Sequence, residues 1–102
     1  MPIVKITWKK HIDASFLLTL IEALTQELVK ITRLPKEELS VIVTEAHSFS
    51  QQAEDFYIEI ITLPKRAQDF SGQVIKNLAL KLSSRIRVKV FIWVFFNPGP
   101  HS

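Results

Sequence analysis

The sequence contains no cysteine. That absence removes disulfides, thiolate zinc sites and cysteine nucleophiles together, and it fits a reducing compartment. The three histidines, His11, His47 and His101, are scattered without metal-ligand spacing, so neither a metal nor another cofactor is expected. No dense block of lysine and arginine occurs either. Thirteen basic against 10 acidic residues leave a formal charge of +3, a weak footprint for nucleic acid and a better match to a small anion. Long apolar runs are also missing: the most apolar stretch, VKVFIWVFF at 88–96, falls far short of the ~20 residues a membrane helix requires, and reads as a strand. Lys5, Lys9 and Lys10 interrupt the opening residues, which therefore lack the pattern of a secretory signal. A cytoplasmic protein without membrane contact is expected.

What is present is apolar for its size. At 102 residues the chain reads as one domain over 1–102. Its 47% hydrophobic content and mean hydropathy of +0.17 suggest apolar surface hidden against copies of itself.

PIVKITW is rich in β-formers and predicts a strand at about 2–8. From Asp13 the period changes: Phe16, Leu17, Leu20, Ile21, Leu24, Leu28 and Ile31 recur three and four apart, opposite Thr19, Glu22, Gln26, Lys30 and Arg33. That is an amphipathic helix, with Asp13 as its N-cap and Pro35 beyond its end. LSVIVTE at 39–45 predicts a second strand, the polar AHSFSQQAED at 46–55 a long loop, and FYIEIIT at 56–62 a third strand. Phe70, Val74, Ile75, Leu78 and Leu82 form the stripe of a second helix, weakened by Gly72 in its first turn. The last strand is expected from Ile86 to about Phe95.

The two halves, about 2–45 and 56–96, resemble copies of one unit. A shift of 54 positions lays Phe16 on Phe70, Leu20 on Val74, Ile21 on Ile75, Leu24 on Leu78 and Leu28 on Leu82. The same shift lays Ile3–Thr7 on Tyr57–Ile61, whereas a shift of 47 is needed to lay Leu39–Val43 on Ile86–Val90. Each strand-helix-strand unit should be a right-handed parallel crossover. The fold class is therefore α+β: two β-α-β units forming a four-stranded sheet with two helices on one face. The opposite face would be bare, and copies of the same chain are its expected cover.

Pro2 has two readings. It is a rigid residue at a strand start, or, once Met1 is removed, a secondary amine. An unperturbed α-amino group titrates near ~8, and burial or neighbouring cations move it toward neutrality, where a general base is most useful. The ring nitrogen cannot rotate freely, so a strand can aim it at a substrate carbon. Such a base could move a proton at carbon beside a carbonyl if donors held the developing enolate charge.

The opening PIVKI, the helix capped at Asp13 and the stretch PKEELSVIVTE together resemble the tautomerase superfamily, the last being similar to a segment of the small 4-oxalocrotonate tautomerases (4-OT). The two-unit length is similar to the macrophage migration inhibitory factor (MIF) and cis-3-chloroacrylic acid dehalogenase branches, and the chain most resembles a bacterial branch with two fused units. The resemblance implies a homotrimer in which Pro2 is the acid/base of a cofactor-free keto-enol tautomerase acting on a small 2-oxo or enol carboxylate. Two arginines that the family often carries, at the helix start and on the second strand, are here Ile12 and Ser40. Arg66, opposite Ile12 under the 54-position shift and placed at the head of the second helix, is then the expected anion clamp, with Lys65 beside it. His11 could donate to substrate or sit in a turn; Phe49 could wall the pocket or pin its loop to the core. Trp93 and Phe95 suit core or subunit packing, and Tyr57 a substrate contact or a strand edge. The alternative is a catalytically inactive trimer that serves binding or assembly.

Overall fold

Asp13 opens the first helix by accepting, through its carboxylate, the backbone N–H of Ser15 at 2.9 Å. Its carboxyl is held below the ordinary range by that backbone bond and by the Ser15 side chain. The helix, α1 (Ala14–Thr32), closes on Arg33, whose N–H reaches the carbonyl of Val29 at 2.8 Å in a left-handed conformation with φ 62°. The computed structural model from which this geometry is read describes residues 2–9, 13–46 and 56–97. His11, Ile12 and Phe49 lie outside the described residues.

Four strands surround that helix in the chain order: β1 (Ile3–Lys9) before it, then β2 (Ser40–Ala46), β3 (Phe56–Thr62) and β4 (Val90–Phe96). The second helix, α2 (Gly72–Ile86), separates β3 from β4. The sheet order is β2-β1-β3-β4, with β1 parallel to β2, β3 parallel to β4, and β1 antiparallel to β3. This is the α+β arrangement of two β-α-β units, joined along their first strands.

Alternation on the central strands decides the layers. Val4 and Ile6 of β1 and Phe56, Ile58 and Ile60 of β3 are fully buried and pack with Leu20, Leu24 and Leu28 of α1 and Leu78, Leu82 and Ile86 of α2. The paired leucines of the 54-position shift share this core: Leu24 with Leu78, and Leu28 with Leu82. On the edge strand β2 the helices leave Val41 and Val43 more than a third exposed, although their register partners Val4 and Ile6 are buried.

Three details differ from the sequence expectation. The last strand begins at Val90, because Ile86 is the final, buried residue of α2 and Arg87 ends that helix with φ 58°. Arg66 does not head the second helix. A 3-10 turn, Pro64–Asp69, holds it, and Ser71 caps α2 by accepting from the N–H of Val74 at 3.2 Å. Phe70 is thus outside the helix and buried, while Phe16, laid on it by the shift, is 41% exposed. Of the two places expected for Trp93 and Phe95, the core is not the one they take: both stand exposed on the sheet face away from the helices.

Candidate functional site

β1 starts, β2 starts and β3 ends at one edge of the sheet, since Ile3 faces both Ser40 and Ile61. α1 runs back to the same end, and the turn before α2 leaves from it. Pro2 therefore sits where the loops of both units converge. It is buried, and its carbonyl accepts the N–H of Ser40 at 3.2 Å.

The C-terminus of α1 is tightly finished here. The Thr32 hydroxyl donates to the Leu28 carbonyl at 2.7 Å and accepts from the Leu34 N–H at 3.2 Å. Arg66 donates through Nη1 to the Thr32 carbonyl at 3.1 Å and pairs with the Asp69 carboxylate at 3.4 Å. A cation beside the last carbonyls of a helix is placed where the macrodipole favours it.

An open concavity of about 760 Å³ is lined by Thr32, Arg33, Leu34, Arg66, Gln68 and Asp69, with Ile31 and Val74 at its sides. The two guanidinium groups on its wall differ. Arg66 is one-third exposed and already neutralised by Asp69. Arg33 is exposed and, among the described residues, makes no ion pair. The charge available to an anion is therefore that of Arg33, a residue the sequence reading assigned only to the polar face of α1. Its signal was position: a basic residue where a helix stops, two residues before Pro35. Lys65 is exposed on the same 3-10 turn but does not line the concavity, and neither does Pro2. Ser40, the uncharged residue at the second-strand position, neighbours Pro2 directly. Among the described residues no cluster of three His, Cys, Asp or Glu could hold a metal ion, and no helix is long and apolar enough to cross a membrane.

No protein-family model matches the sequence, and no curated protein matches it. Solved structures do. A malonate semialdehyde decarboxylase, solved also as a variant with alanine for a proline at its first residue, is 13% identical with a TM-score of 0.72 over 98% of this chain and 88% of its own. A MIF-like protein from Entamoeba histolytica is 11% identical, TM-score 0.71, over 98% and 91%. A fused 4-OT solved as an asymmetric trimer is 14% identical, TM-score 0.67, over 93% and 85%. These proteins belong to the tautomerase superfamily, and the fold of this chain is the tautomerase fold.

Proposed function

We propose that the chain is a cofactor-independent isomerase acting on a small 2-oxo or enol carboxylate, with the amine of Pro2, uncovered by removal of Met1, as acid and base. The observation that carries this reading is the position of Pro2, at the head of a central strand and at the end of the sheet where two arginines line a concavity. A similar fold whose first residue is proline belongs to an enzyme, the malonate semialdehyde decarboxylase.

The chemistry follows from the residues. The amine takes a proton from carbon beside the carbonyl, the C–H electron pair becomes the new C=C bond as the carbonyl π pair moves to oxygen, and the proton is returned to the enolate oxygen, or in the reverse direction to carbon. Burial of an α-amino group disfavours its protonated form, which is the direction a general base needs. Arg33 holds the carboxylate or the enolate charge; Arg66 can share that role only by giving up part of its bond to Asp69. Lys65, His11 and Phe49 remain proposed substrate contacts. We further propose that copies assemble as a cytoplasmic homotrimer, as the fused 4-OT relative does as a trimer, and that the ligand is a small anion rather than nucleic acid.

A second reading is favoured by the same burial. Pro2 is covered, Ser40 stands beside it instead of a cation, and Arg66 is engaged with Thr32 and Asp69. An inactive trimeric scaffold for binding or assembly has these features. Mass spectrometry of the natural protein, followed by ketonisation assays with phenylenolpyruvate and 2-hydroxymuconate, separates the two. Loss of Met1 and a fall of about 10²–10⁴-fold in Pro2→Ala are expected for the enzyme. A retained Met1, or equal rates in wild type and variant, leaves the scaffold.

A further inference from the structure

The two helices meet at equivalent places of the two units. Lys81 lies 54 positions after Glu27, and the two side chains join at 3.2 Å across the helix pair. Beside this contact is an open groove of about 480 Å³, lined by the buried Ala23 and Leu82 and by the exposed Leu80, Ser84 and Arg85. Under the 54-position shift Asn77 is the equivalent of Ala23, Gln26 of Leu80 and Lys30 of Ser84. Gln26 is exposed as Leu80 is, so the fold accepts a polar side chain there and does not need Leu80, 61% exposed, for its core. The small side chains of Ala23 and Ser84 thus leave a depression next to an uncovered leucine, where the other unit carries longer polar groups.

The surface around that depression is basic. All 10 acidic residues lie at or before Asp69, whereas five of the 13 basic ones, Lys76, Lys81, Arg85, Arg87 and Lys89, lie after it. Lys76, Arg85 and Arg87 are exposed and, among the described residues, make no ion pair. Glu27, the acid that lines the groove, is already engaged by Lys81 and Lys30, so it offers an incoming carboxylate little repulsion. Lys76 stands one turn before Leu80, and Lys81 and Arg85 flank it on the side of the groove. From Lys76 to Arg87 the chain rises about 16 Å at helical pitch, a span longer than a single small carboxylate bridges. A concave groove receives a projecting side chain, which a flat layer of lipid headgroups does not supply. The occupant these features fit carries several carboxylates along a chain and one apolar anchor among them.

We propose that the groove between α1 and α2 docks an acidic segment of a partner protein, which seats an apolar side chain against Leu80 and Ala23 and sets its carboxylates on Arg85 and Lys76. Neither catalysis by Pro2 nor the number of subunits enters this proposal. A random dodecapeptide library displayed on phage and selected on the full chain at about 0.15 M salt tests it. Enriched peptides are expected to combine Asp or Glu with an apolar anchor and, as labelled synthetic peptides, to shift the amide resonances of Ala23, Leu80 and Ser84. Arg85→Glu and Leu80→Asp, both at exposed positions, should each weaken that binding by about tenfold or more in fluorescence anisotropy, with unchanged circular dichroism. Lys36→Glu makes the same charge change on an exposed turn outside the groove and should leave binding unaltered. A selection that yields no acidic peptides, or acidic peptides that bind Arg85→Glu as well as Lys36→Glu, overturns the proposal. Binding of phosphatidylglycerol vesicles or duplex DNA that Arg85→Glu abolishes, with no peptide enriched, overturns it too and gives the surface to a membrane or to nucleic acid.

Discussion

Arg66 and Thr32, 34 residues apart in the chain, are joined by a 3.1 Å hydrogen bond from a guanidinium to the carbonyl of the last residue of α1. The bond ties the turn that precedes α2 to the end of α1, so the two units share one corner. It also engages the Arg66 guanidinium within the scaffold. Replacing Arg66 by alanine should lower stability by about 1 kcal/mol, because a charge-assisted bond is lost at a partly exposed site. The check is the urea midpoint, with an unchanged denaturant slope. Arg66→Lys should recover only part of the loss, since both bonds leave Nη1 at the far end of the longer arginine side chain, a position the lysine ammonium does not reproduce.

Both helices end on an arginine in the left-handed region, Arg33 with φ 62° and Arg87 with φ 58°. A side chain there is strained in a way glycine is not. Arg87→Gly should therefore raise the thermal midpoint, by about 0.5–1 kcal/mol of stability. Lowered stability would show that the Arg87 side chain contributes more than its backbone costs.

Lys81 of α2 reaches Glu27 of α1 at 3.2 Å, and Lys30 approaches the other oxygen of the same carboxylate at 3.5 Å. Partial burial pushes the Glu27 carboxyl up, and the bonds and charges of Lys81 and Lys30 more than reverse this, leaving it below its ordinary 4.5. A carboxyl depressed in the folded state stabilises above its unfolded value, and that contribution is lost as pH falls through the folded one. Glu27→Gln should thus be less stable than wild type near neutrality, by roughly 0.2–1 kcal/mol. The difference should vanish at pH well below 4.5. Chemical denaturation across pH measures it; a gap that persists in acid would mean Glu27 acts through packing.

Leu24 and Leu78 are 1% and 2% exposed at equivalent places in the two units. Alanine at either position should cost about 2–5 kcal/mol, the range for a buried leucine whose cavity collapses incompletely. Similar losses in the two variants, read from denaturation midpoints, would match their equivalent burial; a loss below about 1 kcal/mol at one site would show that its surroundings close over the gap.

Much of this architecture was legible because its signals are local. Asp13 before an apolar stripe, alternation over 56–62, and the matching leucines of two helices each need only a few neighbouring residues to be recognised. The errors arose where the decisive partner is distant or the usual marker is absent. Ile86 joins an apolar run and reads as strand, yet it closes a helix stopped by Arg87, which carries none of the glycine signal expected at such an end. Arg66 was moved to a helix head by an offset that allows no extra turn between β3 and α2, where Pro64 begins one. At the candidate site, Pro2 was visible as chemistry, but its burial and the pairing of Arg66 depend on contacts that only the fold creates.

The strand that carries Pro2 is an interior one, with β2 on one side and β3 on the other. Because both neighbours follow it in the chain, a ribosome releases β1 with its two hydrogen-bonding edges vacant, and Ile3 must wait for Ser40 and then Ile61 to be synthesised. Sheet assembly is consequently a late event of high contact order, and β1 gains its second neighbour only when residues 56–62 have been made.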